Sequence, residues 1–576
     1  MKSGIYILSL IIIYAQSVKA FTTPDWSKDA KLPGNKICET HHGHRVCFKD
    51  GNRSNIYQLS KGELEKAKEK GARHTLFYPV KSTPLMAPYN SLEKMFDSTQ
   101  NSALRNFIYR IARRISNFNS FKDVYDWIGL NDYPESAEQN GPNPIPFMGD
   151  IENDPMGVTI DSRHSERGLT ISCAACHSAD LFGVKVLGLM NRFPKANEVF
   201  KVGKSALSKT PTFIFRTLFK PSKGDLKIFK DAKNALSYVS VKQPIVLGLD
   251  TSLAQVGLSL SMRAEDEYAT MNPRNRRRPR KNPLNKIPAD SKPQVWWNLK
   301  YKTKWLSDGS IISGNPVHTN FLWNEIGRGA DLKKLESWLV NNKEIVNDLT
   351  AFVFSTKAPK YNNFFPNEID IFTAKKGQKL FEKNCSGCHG KYIKGWNDIN
   401  SDELSYEEKI ATTKVWYHEQ TIIKDVGTDP LRAAGMQYFA DDLNRLKISK
   451  TLGTVVKEQP GYIPPPLVGI WSRWPYFHNN SVPTLYDVIT PAPKRPKTYI
   501  AVKAEDKEVD FDKEKNGYPR KEFIRSEYRN NRDYFYDTSR VGMSNSGHTK
   551  MLLDENGNEK FNHNDKIAII EYLKTL

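Results

Sequence analysis

Two pentapeptides of the form Cys-x-x-Cys-His, Cys173-Ala174-Ala175-Cys176-His177 and Cys385-Ser386-Gly387-Cys388-His389, take up four of the six cysteines in this chain of 576 residues. With two residues between them, both sulfurs can add across the vinyl groups of one porphyrin, and the adjoining histidine then lies beneath the ring with an imidazole for iron. The pattern predicts two covalently bound haems c. Cys173, Cys176, Cys385 and Cys388 are the attachment points, and His177 and His389 the iron ligands. A zinc knuckle or a redox dithiol is the competing use of such a spacing.

Covalent attachment of this kind takes place outside the bacterial cytoplasm, and the start of the chain agrees. Lys2, the apolar run from Ile5 to Tyr14 and the small residue Ala20 read as a signal peptide over residues 1–20. That run falls short of the roughly 20 apolar residues that span a bilayer, and nothing later approaches them. The expectation is a periplasmic or secreted protein with no integral membrane segment after cleavage; an uncleaved tether is the alternative. In an oxidising compartment Cys38 and Cys47 should close a disulfide hairpin, although His41, His42 and His44 between them could also hold a metal.

The formal charge of +21 falls to +19 without Lys2 and Lys19, and part of the excess is local. Arg274, Arg276, Arg277, Arg278, Arg280 and Lys281 lie among Pro273, Pro279, Pro283 and Pro288, which rules out a regular helix and predicts an exposed basic loop. Such a loop suits an acidic redox partner or an anionic membrane surface, or is plain solvated charge. No motif for nucleic acid accompanies it.

Four stretches follow: the signal peptide, 1–20; an extension with the hairpin, 21–90, wrapping the first haem unit; a haem domain with insertions, 91–365; and a second haem domain, 366–576. The fold class is mainly α, two cytochrome c-like domains with long irregular insertions and a few short β-hairpins. Ser60 and Glu63 have capping-box spacing. Leu104, Phe107, Ile108, Ile111 and Ile115 recur at helical spacing, the pattern of a helix with one face in the core. Leu332, Leu335 and Leu339, then Val346, Leu349 and Phe352, mark further helices. Gly377, Phe381 and Cys385 have a Gly-x-x-x-Phe-x-x-x-Cys spacing that resembles that of small cytochrome c domains, where the glycine permits close helix crossing and the phenylalanine packs near the haem edge. Asn564 or Asp565 should cap a last helix with Ile567, Ile570, Tyr572 and Leu573 facing inward.

The run from Gly461 to Leu485, with Trp471, Trp474 and His478 inside it, resembles a signature of the bacterial di-haem cytochrome c peroxidase and MauG superfamily. Asn545-Ser546-Gly547-His548, followed by the terminal Tyr572-Leu573-Lys574-Thr575-Leu576, is similar to the rubber oxygenase branch. The resemblance covers most of residues 366–576 and, in the first half, only the region of residues 172–177 and that of Trp296-Trp297. It implies unequal haems, one held through His177 with an open side for dioxygen or peroxide, the other closed by His548. Gly547 would let backbone approach that porphyrin; Met543 and His418 are the fallback ligands, and an exposed loop histidine the bland reading. The resemblance makes His478 a catalytic-region residue near a propionate or water chain, or else a packed core histidine. Trp471 and Trp474 would couple the haems or simply fill core. Trp296 and Trp297 are similar to an aromatic distal lining, or form a hydrophobic cluster. No distal carboxylate matches, and His164 or His318 could instead close the first iron.

Three functions remain open: a dioxygenase cleaving double bonds of an apolar polyisoprenoid, a peroxidase fed by a small redox protein, and an electron carrier without catalysis. The attachment chemistry itself is directly testable. Replacing Cys385 and Cys388 with Ala should leave one covalent haem per denatured chain, measured by pyridine haemochrome and mass; retention of two refutes the motif assignment.

Overall fold

A computed structural model describes residues 32–41, 43–97, 102–146 and 154–576, and the backbone but not the side chain of Ile115. The signal peptide and His42 lie outside the described residues. Helix predominates, with strands short and mostly paired as hairpins. Among the described residues no helix is long and apolar enough to cross a membrane.

The local signals act as their chemistry requires. Ser60 accepts from the Glu63 amide and the Glu63 carboxylate accepts from the Ser60 amide, starting the helix Lys61–Leu76. This helix packs on Lys343–Ser355 at Gly71, where an added Cβ would stand 2.2 Å from the Asp348 carbonyl. The last helix, His563–Lys574, is capped by Asn562, whose side chain accepts from the Asp565 amide. The cap thus falls two residues before the expected Asn564. Asn562 is the residue whose extended backbone lets its side chain reach back to that amide.

Two large cores form, and they do not divide at residue 365. The first gathers Tyr57, Leu76, Leu253, Phe321 and Phe352, and also Met436, Phe439 and Leu443 from the second half. The second gathers Phe381, Trp471, Trp474 and Tyr572, and also Leu181, Val186 and Trp297 from the first. Each half is completed by side chains of the other.

The N-terminal extension also serves both halves. Its helix Lys61–Leu76 packs in the first core. Its hairpin, Lys36–His41 and His44–Lys49, pairs instead with Thr412–His418 and through it with Lys391–Lys394. The free edge of Thr412–His418 has unpaired backbone groups, and the hairpin satisfies them. Cys38 and Cys47 sit opposite one another in the hairpin register and are disulfide-bonded.

Two other expectations change. Pro273–Arg277 is one helical turn, begun by Pro273 at the position where its missing N–H costs nothing, with Asn272 as cap. Arg280 in the same segment is paired with Glu265 and Asp442, and Arg276 donates to Ser237 Oγ. The helix Ala103–Ser116 does form, but its apolar stripe faces solvent: Leu104 is 70% and Phe107 57% exposed, while Tyr109 takes the buried side.

The tightest helix crossing is that of Ile371–Asn384 with His563–Lys574, at Gly377. A Cβ there would stand 1.8 Å from the Ala568 carbonyl, backbone that cannot rotate away. Gly377→Val should therefore part the helices and destabilise the protein by roughly 3 kcal/mol, read as a lower urea midpoint; a change under about 0.5 kcal/mol would contradict this crossing.

Candidate haem sites

The first motif is held by backbone before and after it. The hairpin Val158–Arg163 and Glu166–Ile171 leads into it, and Gly157 lies so close beneath that a Cβ would come within 2.7 Å of the Ala175 Cα. After it, the Asn191 amide donates to the Cys176 carbonyl at 2.9 Å, and Gly188 donates to the His177 carbonyl at 2.8 Å. Arg328 spans the entrance, donating to Thr170 Oγ1 at 3.1 Å and to the Ile171 carbonyl at 2.8 Å.

The motif opens on a cavity of about 250 Å³. Cys173, Cys176 and His177 line it together with Trp296 and the helices Ser252–Leu260 and Pro316–Gly327. Among the described residues His177 is the only histidine in this lining, and no methionine contributes. Lys292 lines it too, but its ammonium donates to the carbonyls of Arg473 and Pro475 at 3.1 and 2.6 Å. The single acidic residue of the lining is Asp250, whose carboxylate accepts from the Ser252 amide at 2.6 Å.

Burial pushes the His177 imidazole down to about 4, and the Gln294 carbonyl beside it offsets part of that fall. Its Nδ1 is buried without a hydrogen bond of good geometry. The Trp296 ring packs against the imidazole at 5.0 Å between centroids, tilted by 33°. That is too short for a porphyrin to lie between them, so Trp296 is on the His177 side and not the opposite face expected from sequence. Trp297 is turned away, into the second core, with Nε1 donating to the Val468 carbonyl at 2.9 Å. His164 is paired with Asp231 at 3.0 Å, and His318 is buried outside the cavity lining.

At the second motif His389 Nδ1 donates to the Pro465 carbonyl at 2.9 Å, which fixes the tautomer and leaves Nε2 with the free lone pair. His548 faces it, 6.2 Å away between ring centroids. Two imidazoles binding one metal from opposite sides, with bonds of about 2.0 Å and about 1.1 Å more to each ring centre, stand about 6.2 Å apart. The spacing is that of a shared ion.

The loop carrying His548 is pinned. Its amide donates to Val426 at 2.8 Å, Ser546 Oγ donates to Gly427 at 2.6 Å, and Asn479 donates to the carbonyls of Gly542 and Ser544, each at 3.1 Å. Arg495 donates to the Asn545 carbonyl. Gly547 makes room for Phe477 and Thr428, whose atoms lie 3.1 Å from where its Cβ would be. The space it frees is filled by protein, which is a different reason for the glycine than close approach to a porphyrin. His418, one fallback ligand, donates Nε2 to the Cys388 carbonyl at 2.8 Å and so braces the motif; Met543 is buried in the second core.

His478 stands between the two sites. Its ring stacks on Tyr462 at 4.1 Å, its carbonyl accepts from the Lys292 amide at 2.7 Å, and its neighbour Phe477 contacts His548. Burial, with Arg432 and Lys292 nearby, holds it neutral, at about 3.

The two proximal histidines are joined by a short path that sequence did not suggest. Gln294 lies beside His177; four residues on, Asn298 donates to the Pro466 carbonyl at 2.9 Å; and the preceding carbonyl, that of Pro465, holds His389. Trp471 and Trp474, 6.4 Å apart, fill the core beside this path, and Trp474 stacks under the Arg192 guanidinium.

The four motif thiols are unpaired, and burial pushes Cys173 up to about 11 and Cys176 and Cys385 to about 12. A redox dithiol needs the opposite shift. Among the described residues no three His, Cys, Asp or Glu side chains converge as a zinc knuckle requires. At the first motif, two thiols beside a cavity, the second followed by an imidazole, do fit a thioether-bound porphyrin.

Residues 461–500 match the family model described as RoxA-like, cytochrome c-like. That stretch is similar to a RoxA-like cytochrome c domain. It implies covalently bound haem c and a haem-based redox function. It contains Pro465, Pro466, Val468 and His478, the residues that link the sites. Two curated proteins of Sinorhizobium fredii are also similar. The uncharacterized protein y4iM is 27% identical over 237 residues, 37% of this chain and 50% of that protein. The uncharacterized protein y4iJ is 25% identical over 266 residues, 38% of this chain and 41% of that protein. The chain thus spans half or less of the length of these relatives.

His548 has a distinct spectroscopic consequence. His548→Ala should convert a low-spin ferric signal to high spin in electron paramagnetic resonance while leaving both thioether attachments intact; an unchanged low-spin signal would remove His548 as a ligand.

Proposed function

We propose that the protein is an exported di-haem c-type cytochrome with oxidoreductase activity, working in the periplasm or after secretion. In this reading the site of His177 keeps an open coordination position for dioxygen or peroxide. The site of His389 and His548 is closed and exchanges electrons, with a small redox protein as partner where outside electrons are needed. The observation that carries the proposal is the inequality of the two sites. Among the described residues one cavity is lined by a single histidine and no methionine, and the other motif has a second imidazole at 6.2 Å. A pure electron carrier would close both irons.

When bound, haem supplies the oxygen or peroxide chemistry, and the protein's part is to position and exclude. Trp296 packs against the His177 ring and orients it. Trp305, Trp323, Phe321 and Leu349 give the cavity an apolar wall that shuts out water and suits an alkene. In the leading version dioxygen adds across a carbon–carbon double bond of a polyisoprenoid, giving two carbonyls. Both oxygen atoms are retained, so no outside electrons are consumed. The superfamily resemblance and the match at residues 461–500 support this branch.

Asp250 favours a second reading. A carboxylate in the cavity lining could carry protons in peroxide reduction, where hydrogen peroxide, two electrons and two protons give two waters. The versions separate cleanly. The oxidised protein should show one high-spin and one low-spin ferric centre; two low-spin signals would leave only the carrier. Oxygen uptake with polyisoprene latex, without added reductant, is expected for the oxygenase. Peroxide-dependent oxidation of a reduced cytochrome with no latex activity would assign the peroxidase.

A further inference from the structure

The helix Ala103–Ser116 has its apolar stripe on the outside. Leu104, Phe107, Ile108 and Ile111 are exposed, whereas the opposite side is anchored: Tyr109 is buried and donates to the Leu218 carbonyl at 3.0 Å, and Arg113 donates to Met95 and Phe96. The contact with Leu218 and the stacking of Tyr109 on Phe219 set the helix against Thr212–Phe219. That second helix is built the same way. Phe215 is buried on Phe229 at 3.9 Å, while Phe213 stands 70% exposed and Ile214 is exposed beside it. Most other large exposed apolar residues are scattered and have the ordinary explanation that a surface cannot be wholly polar. Two adjoining helices that bury their aromatic inner faces and keep apolar outer ones do not.

Charge along these two segments is of one sign. Between Asp97 and Asp123 there is no acidic residue, while Arg105, Arg110, Arg113, Arg114 and Lys122 occur; between Glu198 and Asp225 there is again none, against Lys201, Lys204, Lys209, Arg216, Lys220 and Lys223. Arg110, Arg114, Lys209, Arg216 and Lys220 are exposed. On Ala103–Ser116 the exposed arginines Arg110 and Arg114 flank the apolar stripe, the arrangement of a helix lying in the plane of a membrane interface. A second copy of the chain would bring like charges together, so self-association across this face is opposed electrostatically.

We propose that the outer faces of Ala103–Ser116 and Thr212–Phe219 dock the protein on an anionic phospholipid surface, the apolar side chains entering the headgroup boundary and the arginines and lysines binding phosphate. The proposal is independent of the haem chemistry. It requires only that the chain meet a membrane, and lateral attachment of this kind needs no spanning helix.

The test is co-sedimentation of the full-length holoprotein with vesicles of phosphatidylcholine alone or mixed with phosphatidylglycerol. Pelleting is expected with the mixed vesicles at low ionic strength and should weaken as salt rises. Phe107→Ser with Ile111→Ser should weaken partitioning about tenfold, and Arg110→Gln with Arg114→Gln should reduce the preference for the anionic lipid. Phe372→Ser, at an isolated exposed position, should change nothing; the Soret band and thermal unfolding verify that each variant is folded. Failure of the parent protein to pellet, or undiminished pelleting of the Phe107/Ile111 variant, overturns the proposal. So does light scattering that shows an oligomer dissolved by that variant without an effect on vesicle binding.

Discussion

An imidazole presents one nitrogen to a metal in a fixed direction when a hydrogen bond holds the other. At the second motif that holder is the Pro465 carbonyl, and much of the surrounding structure serves to place it. Pro464, Pro465 and Pro466 restrict their own backbone and have no N–H to satisfy, so the carbonyls are free to accept from side chains. Tyr417 uses that of Pro464, His389 that of Pro465, and Asn298 and Arg473 that of Pro466. Three successive carbonyls bind the strand behind the motif, the motif itself and the other half of the chain. The interleaving of the two cores follows from this. Asn298 and Trp297 can reach Pro466 and Val468 only if their segment enters the second core, and there Trp297 is buried.

The parts legible in sequence are those decided within a few residues. The Cys-x-x-Cys-His spacing, the Ser60 box, the glycine at 377 and the Cys38–Cys47 hairpin each depend on neighbours in the chain or on a single close approach. His548 was singled out through resemblance, and its ring lies 6.2 Å from that of His389. What was not legible was orientation over long distances. Trp296 reads equally well above or below a porphyrin until Gly188, whose carbonyl accepts from the Trp296 amide, ties it to the His177 side. Periodicity in Ala103–Ser116 identifies a stripe but not what the stripe faces. Asp250 has no motif around it, and it lines the cavity because its backbone bridges to Ser291.

Buried cations bear on how the sites fit their group. Lys292 and Arg192, and Arg473 between them, lie where the halves meet; in place of carboxylates their partners are carbonyls, those of Arg473 and Pro475, of Trp474 and Ser472, and of Pro466. Desolvation drives Lys292 well below the ordinary lysine range, and Arg473 and Arg192 add to the fall; Arg192 and Arg473 are each lowered to about 10. Arg192 and Arg473 stay charged at neutral pH and carbonyl dipoles solvate such charges only in part, so the region carries positive potential. Each haem c brings two carboxylates. If haem is bound beside it, as proposed, those anions would offset the charge of this junction, and the same positive potential would favour an added electron there.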